Sequence, residues 1–271
     1  MDWSSKMGIH IRGCLYKNWP QNYSECLDTW GKVMTNDGWR IKVVIGHPEL
    51  DQTYKDSRDF FFVNTTDGME GVFEKTIYAS CKWLVEQEEK EWVFITDSDT
   101  FVHPVRFTNM LNELYQRYGN LDYVGAARPV WYNVNTAMDF SVSLNDKDTK
   151  EKLGKPILER VGGIYLSGGS GFILSKKSAQ IIVDSWESKS YEQYPEFKEE
   201  FRYYDDCLTG LMLSHGGIDA IHTNAFQSTS PKINDIIGPP ILGIEYDAGS
   251  FIAVQHYQYG EMERLAKILE I

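Results

Sequence analysis

The sequence predicts an α/β protein with a mostly parallel central sheet. Two patterns predict it. Short apolar runs rich in Val, Ile and Phe alternate with helix-period segments through the first third of the chain. An acidic pair, Asp97 and Asp99, then follows a fully apolar run, where ligands of such sheets gather, beyond the carboxyl ends of strands.

Gly8 to Leu15 reads as the first strand, a helix follows over about Tyr23 to Val33, and Arg40 to Ile45 is the second strand, a βαβ opening. Phe60-Phe61-Phe62-Val63 is a third run. It precedes a helical segment from about Val72 to Gln87, in which Phe73, Ile77, Cys81 and Leu84 fall near helical spacing. Trp92 to Thr96 is a short buried strand. Residues from about Trp131 to Arg160 are polar and weakly periodic and read as a long surface excursion, of a length that is usually functional or mobile. Ile164-Tyr165-Leu166 resumes regular structure, Ser167-Gly168-Gly169-Ser170-Gly171 breaks it, and Phe172-Ile173-Leu174 leads into a helix from Lys176 to Trp186.

At 271 residues, 42% of them hydrophobic, the chain suits one domain, taken as residues 1–271. A net charge of −12 excludes extended polyanions, so neither nucleic acid nor an anionic membrane is an expected partner. A small anionic ligand stays within reach where a bound cation supplies local positive charge. The four cysteines form no CxxC pair, so neither a zinc site nor a disulfide framework is suggested. No stretch has the length of a membrane span, and the first residues lack the apolar core of a signal peptide.

Asp97-Ser98-Asp99 places two hard-oxygen ligands at a strand end, a pattern suited to Mg²⁺ or Mn²⁺ bridging a diphosphate; the alternative is an ordinary solvated turn. Asp205-Asp206 precede an apolar helical run. Adjacent carboxylates perturb one another and can keep one as a base, whereas a plain helix cap would use the same residue type. Gly168 and Gly169 permit close approach of backbone to a ligand, or merely a tight turn. His256 closes an apolar run near the end of the chain, as a metal ligand or as a structural histidine.

In order, these segments resemble the Fringe and core 1 β1,3-galactosyltransferase family of GT-A glycosyltransferases. Leu27-Asp28-Thr29-Trp30 looks like the family's "TW" helix. Asp67 to Gly71 through Lys75-Thr76 resembles its glycine-containing approach and "KT" helix. Ser167 to Ser175 resembles the SGGAGY-type segment, Asp205-Asp206-Cys207 the "DDC", and Ser250 to Met262 the closing stretch of the core 1 enzymes. The resemblance implies a Rossmann-like, three-layer GT-A fold. It implies an inverting, metal-dependent transferase that uses a UDP-sugar donor (galactose, N-acetylglucosamine or xylose) and a glycan or glycoprotein acceptor.

Residue by residue, the resemblance implies that Asp99 binds Mn²⁺ or Mg²⁺ directly, that Asp97 contacts the metal shell or the ribose, and that His256 is the third protein ligand. Asp206 matches the catalytic base, with Asp205 orienting it, and Gly168 and Gly169 lie against the donor sugar. Arg12 and Lys75 add positive charge on the donor side or serve as surface salt-bridge partners. Trp131 and Tyr132 stack on the acceptor sugar or simply pack.

The chain departs from the family where a Fringe "HSH" corresponds to Phe226-Gln227-Ser228-Thr229, so His256 rests on the core 1-like ending alone. The membrane anchor and lumenal disulfides of animal members are not evident. The expected location is therefore the cytoplasm, in a virus-encoded or microbial protein, or the Golgi lumen if an anchor was removed. Two other readings compete: a silent carbohydrate-binding module with the same fold, and a haloacid dehalogenase-like phosphatase. The phosphatase pattern wants Thr or Val two residues past the second Asp, where this chain has Phe101.

Overall fold

Met7–Arg12 forms β1, a run apolar enough to be covered on both faces, and it pairs in parallel with β2 (Arg40–Gly46) on one side. The computed structural model describes residues 1–15, 19–68, 71–129, 164–166, 168–197, 199–223, 226–227, 253–254 and 261–268. After β2 come β3 (Tyr54–Asp56), β4 (Phe60–Val63) and β5 (Trp92–Asp97). Next are β6 (Phe101–Val102), β7 (Tyr123–Gly125), β8 (Ala127–Pro129), β9 (Ile164–Leu166) and β10 (Phe172–Ser175). The last three are β11 (Ile221–His222), β12 (Phe226–Gln227) and β13 (Ala253–Val254).

The main sheet has the order β11-β7-β10-β5-β1-β2-β4-β3. Its centre, β5-β1-β2-β4, is parallel throughout, as expected, while β10 and β3 run antiparallel to their neighbours. Each face of the sheet is covered. Ile9, Ile11 and Phe94 project to one side with Trp3, Trp30, Met34, Phe107, Leu111 and Leu265. Val93 and Ile95, the alternate residues of β5, project to the other with Phe73, Ile77, Trp83, Ile182 and Met212. This is the α/β class with a mostly parallel sheet that the alternating pattern predicts, in the three layers that the family resemblance implies.

The helix expected over Tyr23 to Val33 is two helices, Trp19–Asp28 and Trp30–Asn36. Thr29 separates them; its hydroxyl donates back to Glu25 O at 2.6 Å, a local bond that competes with helix continuation. The segment expected over Val72 to Gln87 begins with a wide π-type turn, Phe73–Tyr78, and only then becomes the α-helix Ala79–Glu86. The helix after β10 runs Lys176–Ser188 and is capped by Ser175, whose hydroxyl accepts from Ser178 N at 3.2 Å. The excursion over 131–160, with Trp131 and Tyr132, and also His256, lie outside the described residues. Among the described residues, no helix is long and apolar enough to cross a membrane, and all four cysteines are free thiols.

Candidate active site

Arg12 and Asp97 close the parallel strands β1 and β5 as register partners, so the pairing itself sets them side by side at the carboxyl edge of the sheet. Arg12 Nε lies 3.2 Å from Asp97 Oδ1, and its Nη2 pairs with Asp205 Oδ2. Asp205 and Asp206 open the helix Asp205–His215, but neither is its cap: that position is Tyr204, which makes no side-chain cap bond. The two acids predicted from separate stretches of sequence therefore converge on one guanidinium. Asp206 Oδ1 accepts from Cys207 N at 2.9 Å.

The cluster is rich in negative charge. Asp97, Asp99, Asp205 and Asp206 all act on Arg12. Burial, opposed in part by Arg12 and reinforced by the other three acids, pushes the Asp97 carboxyl up to about 7. Burial and then the adjacent Asp205 push Asp206 up to about 6. Arg12 and the backbone N–H of Cys207 oppose that rise without cancelling it. An acid titrating near neutrality has the protonation range of a general base.

The glycine segment is tied to the acidic turn. Gly169 O accepts from Asp97 N at 3.2 Å and from Thr100 Oγ1 at 2.8 Å, clamping both ends of the Asp97–Thr100 turn. From the opposite side Trp30 Nε1 donates to Thr100 O at 3.1 Å and Cys26 Sγ to Ser98 O at 3.0 Å. A Cβ built on Gly168 would meet Arg12 Nη2 at 3.4 Å and Asp206 Cβ at 3.6 Å, so Gly168 lies directly over the cluster. Nothing in the sequence pattern gives Thr100 or Cys26 a role at the site or announces the tie through Gly169 O. Trp30 enters that pattern only as part of a motif.

Lys75 is buried, and its ammonium donates to Gly13 O at 3.1 Å and to Asp67 O and Oδ1 at 3.2 and 3.0 Å. Its charge is thus paired inside the wall. Asp67 in turn accepts from Leu15 N and Gly46 N, joining the loops that leave β1 and β2, and these bonds hold its carboxyl below the usual range although burial opposes them.

A model of the Fringe-like family matches residues 64–239, a span that includes the acidic turn, the glycine segment and the Asp205-Asp206 pair. The chain belongs to the Fringe-like family. It is a glycosyltransferase of that type, which removes the phosphatase reading. No relative matches among curated proteins.

Among solved structures, the chain is similar to the galactosyltransferase LgtC in complex with donor and acceptor sugar analogs. That match has 13% identity and a TM-score of 0.49, over 98% of this chain and 95% of that one. It is also similar to a glycosyltransferase involved in glycosylation of the major capsid of PBCV-1 (10% identity, TM-score 0.47, 96% and 99% covered). A third is 4-diphosphocytidyl-2C-methyl-D-erythritol synthase from Anaerococcus prevotii (14% identity, TM-score 0.41, 82% and 90% covered).

In this Fringe-like chain Asp97, Asp99, Asp205 and Asp206 outnumber the one guanidinium they act on, a charge deficit and an all-oxygen set of the kind that would suit a hard divalent cation. Among the described residues no group of three or more His, Cys, Asp or Glu is placed to hold a metal. The strand β13 runs antiparallel to β6 with Val254 opposite Phe101, so the residue two before His256 lies beside the residue two after Asp99.

Proposed function

We propose that the chain transfers a sugar from a UDP-sugar to a hydroxyl of a glycan or glycoprotein, inverting the anomeric centre so that an α-linked donor gives a β-linked product. The observation that carries the reading is the meeting of the strand-end acids and the helix-start acids at Arg12. Asp206 is the base. Above pH ~6 it is a carboxylate, takes the proton from the acceptor hydroxyl, and frees that oxygen to attack the anomeric carbon from the face opposite the departing UDP.

Asp99 and Asp97, with His256 as a further ligand, would hold Mn²⁺ or Mg²⁺. Bound there, the ion would neutralise the diphosphate as charge develops on it. The β6–β13 register supports His256 in this set. Gly168 and Gly169, without side chains, leave room for the donor sugar against the backbone, and Trp131 and Tyr132 offer stacking faces to the acceptor. Galactose, N-acetylglucosamine and xylose are the candidate donors.

The test is release of UDP from UDP-galactose, UDP-N-acetylglucosamine and UDP-xylose, without acceptor, with Mn²⁺ and with EDTA. The proposal expects slow, metal-dependent hydrolysis of one donor. It expects loss of hydrolysis and of UDP affinity in Asp99→Ala at an unchanged melting temperature, because a ligand rather than packing is removed. Normal metal-dependent UDP affinity in Asp99→Ala would show that the donor site is misplaced.

A further inference from the structure

Two of the three guanidinium nitrogens of Arg12 face protein carboxylates: Nε lies 3.2 Å from Asp97 Oδ1 as an ion pair without a hydrogen bond, and Nη2 donates to Asp205 Oδ2. The side chain is largely buried, and the Gly168 backbone covers it from the third side. Burial of the side chain, with two nitrogens turned to protein carboxylates, limits its access to a phosphate. What it does have is a rigid, planar fork, which fixes the distance between the two groups it joins in a way an ammonium does not.

Here the fork joins the end of β5 to the first turn of the helix Asp205–His215. Asp205 and Asp206 are adjacent, so holding the Asp205 carboxylate holds the backbone from which Asp206 projects. Asp206 is tied from its own side by Cys207 N. Without the fork, the Asp97 and Asp205 carboxylates would share a buried space with no cation between them, and repulsion would turn the helix start away from the sheet.

We infer that Arg12 is a positioning residue that acts on turnover through Asp205, presenting Asp206 to the acceptor, and is not a ligand of the donor diphosphate. This rests on Asp206 being the base.

The test is a double-mutant cycle of Arg12→Lys and Asp205→Asn in the full chain, measuring kcat at saturating donor and acceptor and, by calorimetry, the Mn²⁺-dependent Kd for UDP. Lysine keeps the charge that Asp97 needs but cannot span both carboxylates. Each single variant is expected to lower kcat about tenfold or more. The double variant should be no slower than the slower single, and UDP affinity should stay within about threefold of the parent.

A rise in the UDP Kd as large as the fall in kcat would overturn the inference and make Arg12 a donor ligand. Multiplicative effects of the two substitutions, or an unchanged kcat, would overturn it as well. If Arg12→Lys does not fold, Asp205→Asn decides: lower kcat with unchanged UDP affinity supports the bracket, and unchanged kcat removes it. Asp206→Asn in the same assay separates the two ideas. Full activity in that variant would dismiss the base assignment, while coupling between Arg12 and Asp205 is still read from the cycle.

Discussion

Gly171→Ala should destabilise the protein through two additive causes. Gly171 has φ +94°, a backbone conformation that costs an L-residue about 1–2 kcal/mol. A Cβ there would also lie 2.5 and 2.6 Å from the Phe94 ring and 2.8 Å from Ile95 O. The ring belongs to a core residue and the oxygen to the middle of β5, so neither yields cheaply, and overpacking of this kind costs about 1–3 kcal/mol. Together these give about 2–5 kcal/mol, or roughly 4–9 °C in melting temperature for a chain of this size.

Gly119→Ala is the internal control. Gly119 also has positive φ, at +70°, but a Cβ there meets nothing within 4 Å, so only the backbone cost applies. Urea denaturation of the two variants isolates the contact between the glycine segment and β5. The same contact positions Gly169 O against the acidic turn, so Gly171→Ala should also weaken metal-dependent UDP binding, whereas Gly119→Ala should not. Two variants within about 0.5 kcal/mol of each other would refute the close packing of this turn under β5.

His10 should give the fold an acid sensitivity of its own. It is wholly buried beside Phe61 and Trp83, with Nδ1 2.8 Å from Ser80 Oγ, and burial, aided by the charges of Lys42 and Arg40, lowers it from 6.5 to about 3. The folded value lies below the unfolded one, so the stabilisation is complete above pH ~6.5 and is lost as pH falls toward 3. Over that window the parent should lose about 1.4 kcal/mol per pH unit more than His10→Leu, and parallel urea-stability curves for the two would rule this out. For the metal, His256→Ala should raise the Mn²⁺ concentration needed for half-maximal activity; an unchanged requirement with a lowered melting temperature would make His256 structural.

β1, β2 and β5 were legible because strands covered on both faces read as near-continuous apolar runs, here interrupted by the buried His10, Lys42 and Thr96, while β4 was legible from its all-apolar run although Phe60 and Phe62 are only half-buried. Strand direction leaves no such mark, so nothing in Phe172-Ile173-Leu174 announces that β10 runs antiparallel. The helix Pro104–Tyr118 is missing from the sequence reading although its signals are present. Proline begins it, Phe107, Met110 and Leu111 form its buried stripe, and Gly119 in the left-handed conformation ends it. The break at Thr29 depends on one side-chain bond within an otherwise helical pattern, which periodicity does not register.

At the site, the residue types carried the chemistry and the fold supplied the meeting. Asp97 and Asp206 could each be read as a candidate from its neighbours in sequence. That Asp97 and Asp205, the neighbour of Asp206, both pair with Arg12 depends on how β1 and β5 pair and on where the helix at Asp205 docks. Cys26 and Trp30 support the turn from within the core, where a cysteine and a tryptophan look like any other packing residues.

The most direct test of the proposed chemistry is Asp206→Asn. The amide keeps the volume and removes the proton acceptor, while Asp97 and Asp99 are untouched. General-base catalysis contributes about 10²–10⁴-fold, so kcat at saturating substrates should fall by that factor while the Mn²⁺-dependent Kd for UDP stays within about threefold of the parent. Turnover close to the parent's in a folded, UDP-binding Asp206→Asn protein would contradict the account and place the base elsewhere.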